Sequence, residues 1–182
     1  MDRVIILLAN GFEEIEALAP LDVLRRLNYD VKLVSMNESL EVISSHNVVF
    51  KADLLFNEEL FTLAGVIIPG GMPGAINLRD DDRVLTLVKS LYKEHKLIAS
   101  ICAGPIVLGK ANILSSHYAT CYPGFESELN ALRVLKEKVV VSDNVITSRG
   151  PATAFDFAFK IANYLGLDTS KLLNGMLFKE EY

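Results

Sequence analysis

Hydrophobic positions in this chain come in short continuous runs, separated by longer stretches in which apolar residues recur at helical spacing. Arg3 to Ala9 (RVIILLA) is apolar without interruption after its first residue, the pattern of a strand buried on both faces. Glu14 to Leu27 is amphipathic and predicts a helix, and Val31 to Met36 (VKLVSM) a second strand. Short extended pieces at Glu41–Ser44 and Val48–Phe50 predict a hairpin or edge excursion. Gly65 to Pro69 is another buried strand. Next come a helix near Asp82–Glu94, a strand at Leu97–Ile101, and a further helix. A short strand follows at Tyr118–Cys121, then a strand pair within Val139–Ser148 (VVVSDNVITS). A helix at Ala152–Leu165 and a shorter one near Ser170–Gly175 complete the series. Repeated strand–helix–strand order predicts an α/β fold, a doubly wound, mostly parallel sheet with helices on both faces. With no internal repeat, low-complexity tract or linker, residues 1–182 are expected to form one domain.

Composition narrows the function. The 182 residues are 51% hydrophobic, with 18 basic and 23 acidic side chains for a net charge of −5. Mean hydropathy is +0.30 and the pI about 5.2. Disorder is excluded, and a nucleic-acid partner finds no electrostatic support. No apolar run reaches the roughly 18 residues that span a bilayer, so no membrane association is expected. The start turns acidic too soon for a secretory leader. Two cysteines, Cys102 and Cys121, form neither a disulfide framework nor a zinc pattern. A cytoplasmic protein without metal or cofactor is the expectation.

Candidate chemistry gathers where such sheets do their work, beyond the carboxyl ends of the strands. Three segments fall there: Asn10–Glu16, Gly70–Gly74 and Cys102–Pro105. The glycine-rich GGMPG lacks the lysine and hydroxyl of a phosphate-binding loop. Either it is a tight turn alone, or the N–H groups of Gly70 or Gly71 face an anion, with Ala103 a further backbone donor. An ordinary thiol near pKa 8.5 is only about 3% thiolate at pH 7. Pro105 suits the first turn of a helix, whose positive end favours a Cys102 thiolate by at most about 2 kcal/mol. A reactive thiolate with a pKa near 5.5 needs about 4 kcal/mol. A second group must therefore help.

The first predicted helix offers one. At 100° per residue, Glu16 shares a sector with Val23 and Leu27, flanked by Pro20 and Leu24. Glu14, Asp22, Arg25 and Arg26 face the other way. A carboxyl among apolar neighbours has a raised pKa, although Pro20 is a position where the helix can kink. The alternative is that Glu13, Glu14 and Glu16 only complement the positive helix start. If Glu16 meets Cys102, the two share one proton and titrate as a unit.

Four stretches carry a resemblance that spans essentially the whole chain. They are ANGFEEIEALAPLDVLRR (Ala9–Arg26), VIIPGGMPGAINLRD (Val66–Asp80), IASICAGPIVL (Ile98–Leu108) and ITSRGPATAFDFA (Ile146–Ala158). In this order and spacing the chain resembles the ThiJ/PfpI superfamily, in the branch of the Parkinson-disease protein deglycase and its YajL-type relatives. The resemblance implies a flavodoxin-like, class I glutamine amidotransferase-like fold and a homodimer packed partly through the first helix and the excursion after the second strand. It implies that Cys102 is the reactive cysteine, Glu16 its protonated partner and Gly71 the backbone donor beside the sulfur. It further implies cofactor-independent glyoxalase or deglycase chemistry on methylglyoxal-like aldehydes or their adducts. The alternative it carries is an oxidative-stress sensor or redox-regulated chaperone using the same cysteine.

Tyr122 stands before Pro123 where the family often has histidine, so it would line the site as a hydrogen-bond donor, not as a base. Asn10 and Pro151 are expected to line the site as well. Arg26, His46 and Arg149 are expected as dimer or loop anchors. Ala103 follows the cysteine where PfpI-type peptidases have histidine, and no histidine follows His117, which argues against peptidase and glutamine amidotransferase chemistry.

Overall fold

A computed structural model of the chain describes residues 3–56 and 63–178. β1 (Val4–Leu8) is fully buried along its length, as its unbroken apolar sequence requires. α1 (Glu14–Arg26) follows, then β2 (Val31–Ser35), β3 (Glu41–Ile43), β4 (Val49–Lys51), β5 (Leu54–Leu55) and β6 (Gly65–Ile68). α2 (Gly74–Arg79) and α3 (Asp82–Lys93) lead to β7 (Leu97–Ile101) and α4 (Pro105–Lys110). β8 (Tyr118–Ala119), β9 (Arg133–Val134), β10 (Val139–Ser142), β11 (Val145–Ser148), α5 (Ala154–Tyr164) and α6 (Ser170–Gly175) complete the order.

Seven strands form one sheet in the order β10-β11-β7-β6-β1-β2-β5. Every pairing in it is parallel except β10 with β11. The chain leaves β1 toward β2 on one side and returns to β6 on the other, so the order reverses between β1 and β6. Helices α1 and α5 pack on each other, while α2, α3 and α4 pack together as a second group. Between these layers the central strands are buried on both faces, which is why β1, β6 and β7 read as continuous apolar runs. α3 shows the complementary logic. Val84, Leu87, Val88 and Leu91 recur at helical spacing and are buried, and Asp81 caps the helix by accepting the Arg83 N–H.

The structure departs from the sequence reading at the short elements. The strand expected at Tyr118–Cys121 ends at Ala119, and it pairs in parallel with β9 in a small separate sheet. α2 and the two-residue β5 were not anticipated. Six residues starting at a glycine, or two in a strand, are too short to show a period. The late helix begins at Ala154, after a 3-10 turn over Pro151–Thr153. The excursion is the antiparallel hairpin β3–β4. Pro20 does not break α1, which runs continuously through it.

Candidate active site

Cys102 stands one residue past β7, where the chain turns abruptly into α4. Its φ of +64° is left-handed, a conformation that costs a side-chain-bearing residue of order 1 kcal/mol or more. The surroundings enforce it. The Cys102 N–H donates to the Ser148 carbonyl at 3.0 Å, extending the β7–β11 ladder, and its carbonyl accepts from the Tyr122 N–H at 2.8 Å. Gly104 must be a glycine, because a Cβ there would lie 2.6 Å from Ser100 Oγ and 2.7 Å from the Ile68 carbonyl. Cys102 is left only 9% exposed.

Glu16 comes to the sulfur from the first turn of α1 and is fully buried. Its Oε2 accepts the Gly70 N–H at 2.8 Å. Its Oε1 is buried with no hydrogen-bond partner, while the carboxyl as a whole interacts with the Cys102 thiol. Burial raises the Glu16 pKa to about 7, against the opposing pull of the Gly70 N–H and the thiol, and the nearby Glu13 adds to the rise. Burial also pushes the Cys102 thiol upward, and an ionised Glu16 pushes it further. The N–H groups of Ala103 and Gly71, both at the sulfur, pull the other way. Two acids so close cannot both ionise at neutral pH. The pair holds one proton between them, and its titration steps belong to the pair.

The loop after β6 closes around this contact. Glu13 N–H donates to the Gly70 carbonyl at 2.9 Å while Glu16 takes the Gly70 N–H, so one peptide is gripped from both sides by the start of α1. A Cβ on Gly70 would lie 2.7 Å from Cys102 Cβ, 2.8 Å from Glu16 Oε2 and 2.9 Å from Ala103 N. Gly71, with φ +86°, would place a Cβ 2.4 Å from Glu13 N. The three segments at the strand ends are thus packed backbone to backbone.

A buried cysteine–glutamate pair on a left-handed turn, set in a doubly wound sheet, can be compared with known proteins. The family model described as the DJ-1/PfpI family matches residues 2–164. The chain belongs to the DJ-1/PfpI family. Its sheet is the flavodoxin-like, class I glutamine amidotransferase-like fold of that family. Solved Toxoplasma gondii DJ-1, in an oxidized form, superposes with a TM-score of 0.92 at 34% identity, covering 99% of this chain and 100% of that one. Protein DJ-1 homolog B of Arabidopsis thaliana is 34% identical over 161 residues, 87% of this chain. The chain spans only 37% of that relative's length. Deglycase PH1704 of Pyrococcus horikoshii is 31% identical over 159 residues, covering 84% of this chain and 93% of the relative. A glutathione-independent glyoxalase of Caenorhabditis elegans, DJR-1.2, is 41% identical over 102 residues, 55% of this chain and 54% of its own.

Within this family member, the other residues singled out from sequence fall into two groups. Gly71 and Ala103 have their N–H groups at the sulfur, whereas the Gly70 N–H donates to Glu16 Oε2. Tyr122 is bound to Cys102 through its backbone, and its exposed ring lies over Gly150. Pro151 opens the 3-10 turn before α5. Asn10 does not present its side chain to the pair as a lining residue would. Its Oδ1 accepts from Asn37 Nδ2 and the Ile43 N–H, both at 3.0 Å, fastening β1 to the hairpin. Arg26 pairs with Asp22 along its own helix at 2.7 Å, and the Arg149 backbone N–H donates to the Lys138 carbonyl. His46 binds Glu14 at 2.9 Å, joining the hairpin to α1. Cys121 is buried, with its thiol pushed up to about 11 by burial and Glu126.

Glu13 is the residue the sequence reading undervalued. It is buried, it caps α1 by accepting the Glu16 N–H at 2.8 Å, and its carboxylate is a neighbour of Glu16. Glu13, Glu14 and His46 bring donor atoms within 4.8 Å of one another. The helix cap and the Glu14–His46 pair already engage these groups, so they form a structural cluster.

Proposed function

We propose that this family member is a cysteine-dependent glyoxalase or deglycase-type enzyme acting on methylglyoxal-like aldehydes or their adducts. The observation that carries the reading is the fully buried Glu16 carboxyl interacting with a thiol that two backbone N–H groups face. Oε2 accepts the Gly70 N–H, and the same carboxyl interacts with the Cys102 thiol, so a proton on the carboxyl is shared with the sulfur. That arrangement stabilises a thiolate with a neutral acid next to it, without a histidine base. The names of the deglycase and glyoxalase relatives support the same class.

The chemistry follows from those groups. The Cys102 thiolate adds to the aldehyde carbon, and the carbonyl oxygen takes the Glu16 proton to give a hemithioacetal. The Glu16 carboxylate then removes the proton from that carbon and returns a proton to the adjacent carbon, while the hydroxyl proton passes to the adjacent oxygen, so the ketone becomes a carbinol and the hemithioacetal carbon a thioester carbonyl. The two carbons exchange oxidation state internally, so no external oxidant or reductant enters. Water hydrolyses the resulting lactoyl thioester to lactate and free thiol. Backbone N–H groups beside the sulfur hold the developing oxyanion. Lactate formation from methylglyoxal should fall to background in Cys102→Ala. Equal rates in wild type and variant would overturn the proposal.

A second reading has its own support. Backbone donors and a protonated carboxyl around one thiol also suit a cysteine sulfinate, and the similar Toxoplasma protein was solved oxidized. Under mild peroxide, intact mass should rise by about 32 Da, two oxygens, at Cys102. Absence of that species would remove the sensor reading while leaving the enzymatic one.

A further inference from the structure

Glu13 does more than begin a helix. Two acidic residues three apart at one helix start normally sit in water, yet both Glu13 and Glu16 are buried. The Glu13 carboxylate accepts the Glu16 N–H, and its own N–H holds the Gly70 carbonyl, so its backbone and side chain together fix both the Glu16 backbone and the Gly70 peptide that binds Glu16 Oε2. We propose that Glu13 is a positioning residue that sets both the place and the protonation of Glu16, keeping the shared proton on the carboxyl and the charge on the sulfur.

The Glu13 carboxylate is bonded to the Glu16 N–H at 2.8 Å, which sets an acidic group at the start of the turn that carries Glu16. A fixed negative charge opposes ionisation of the nearest acid most strongly. Glu13 raises Glu16, while Glu16, and not Glu13, is the acid that bears on Cys102. The charge of Glu13 therefore biases the pair toward thiolate plus neutral carboxyl. Burial raises the Glu13 pKa, and the Glu16 and Ile15 N–H groups of the helix start oppose that rise. The other charged groups facing this cluster are Glu14 on α1 and His46 from the hairpin, paired with each other, and Cys102 from the turn after β7.

The inference rests on the Cys102–Glu16 reading, and the test separates the two. Thiolate absorbance near 240 nm is followed against pH in wild type, Glu13→Gln, and the isosteric pair Glu13→Asp and Glu13→Asn. Asp and Asn are both strong helix caps and differ mainly in charge. Because one pK unit between the two acids is tenfold in proton placement, neutral-pH thiolate should fall by at least about half in Glu13→Gln and Glu13→Asn. Glu13→Asp should retain it, with melting temperature matched to Glu13→Asn. A purely structural cap predicts equal thiolate in Asp and Asn, and that result would overturn the inference while leaving the Cys102–Glu16 pair intact. No neutral-pH thiolate in wild type would overturn both. If Glu13→Gln fails to fold, the Asp–Asn comparison decides alone.

Discussion

Glu16 is a carboxyl removed from water, with one oxygen bonded to Gly70 and the carboxyl interacting with the Cys102 thiol. The pair loses its first proton near pH 7, whereas an unfolded glutamate loses its own near 4.5, so the folded protein holds a proton that the unfolded chain releases. The sign follows: stability is greatest below about pH 4.5 and declines as pH rises toward 7, by up to about 3 kcal/mol. Urea unfolding across that range should show the decline in wild type and a much flatter profile in Glu16→Gln. Activity should move oppositely, increasing as the pair loses its first proton near pH 7 and holding until the second leaves well above the ordinary thiol range. Glu16→Gln should lower kcat for methylglyoxal by about 100-fold or more, since an amide cannot exchange the proton. At this scale the sequence was informative where periodicity acted. The helical wheel put Glu16 with Val23 on the buried side, and the apolar run delivered Cys102 to a strand end. Composition and periodicity left open which peptide N–H faces the sulfur, Gly70 or Gly71, because that depends on the orientation of single peptide planes; the family resemblance named Gly71. Nor did the sequence show Asn10 turning to the hairpin, since position at a strand end leaves side-chain direction open.

Three chain segments meet at the site by close backbone approach, and the glycines there act as spacers. Gly70→Ala requires no forbidden dihedral, yet its methyl would enter the Cys102–Glu16 contact. Overpacking of this kind costs about 1–3 kcal/mol, so chemical denaturation should show that loss together with reduced neutral-pH thiolate. Unchanged thiolate would mean the loop yields. The hairpin is tied to α1 more loosely. His46 is exposed, and its bond to Glu14 raises its pKa and lowers that of Glu14. That tie is complete below about pH 6.5 as long as Glu14 stays ionised, and is lost as pH rises through the raised histidine value or falls through the lowered Glu14 value. Hydrogen exchange of the Ser45 amide, which donates to the Phe12 carbonyl, corrected for intrinsic rates, should lose protection as pH rises through the histidine value in wild type and not in His46→Ala. Long elements such as α1, α3 and β7 were legible because their hydrophobic period repeats several times. α2, β5 and β9 were not, because each is held by its neighbours more than by its own pattern.

Over the whole molecule, reversal of strand order between β1 and β6 places the glycine loop and, from the next strand, Cys102 at one edge of the sheet, facing the start of α1. Family membership fixes this architecture; assembly is a separate matter. Ile15 on α1, and Ile43, Val48 and Val49 on the hairpin, are large apolar side chains between 46% and 61% exposed. Apolar side chains clustered on the two elements that border the site favour a partner. We propose that this surface pairs with a second copy, so light scattering should give about twice 20.1 kDa, and Val49→Glu should shift the protein toward monomer. A monomeric wild type would contradict the proposal.

The proton shared by Cys102 and Glu16 is the centre of the account. Ultraviolet titration of the Cys102 thiolate, in wild type and in Glu16→Gln, tests it most directly. Wild type should show thiolate appearing near neutral pH, and Glu16→Gln should delay it to higher pH. A thiolate that forms only near the ordinary thiol value of about 8.5, alike in both proteins, would contradict it.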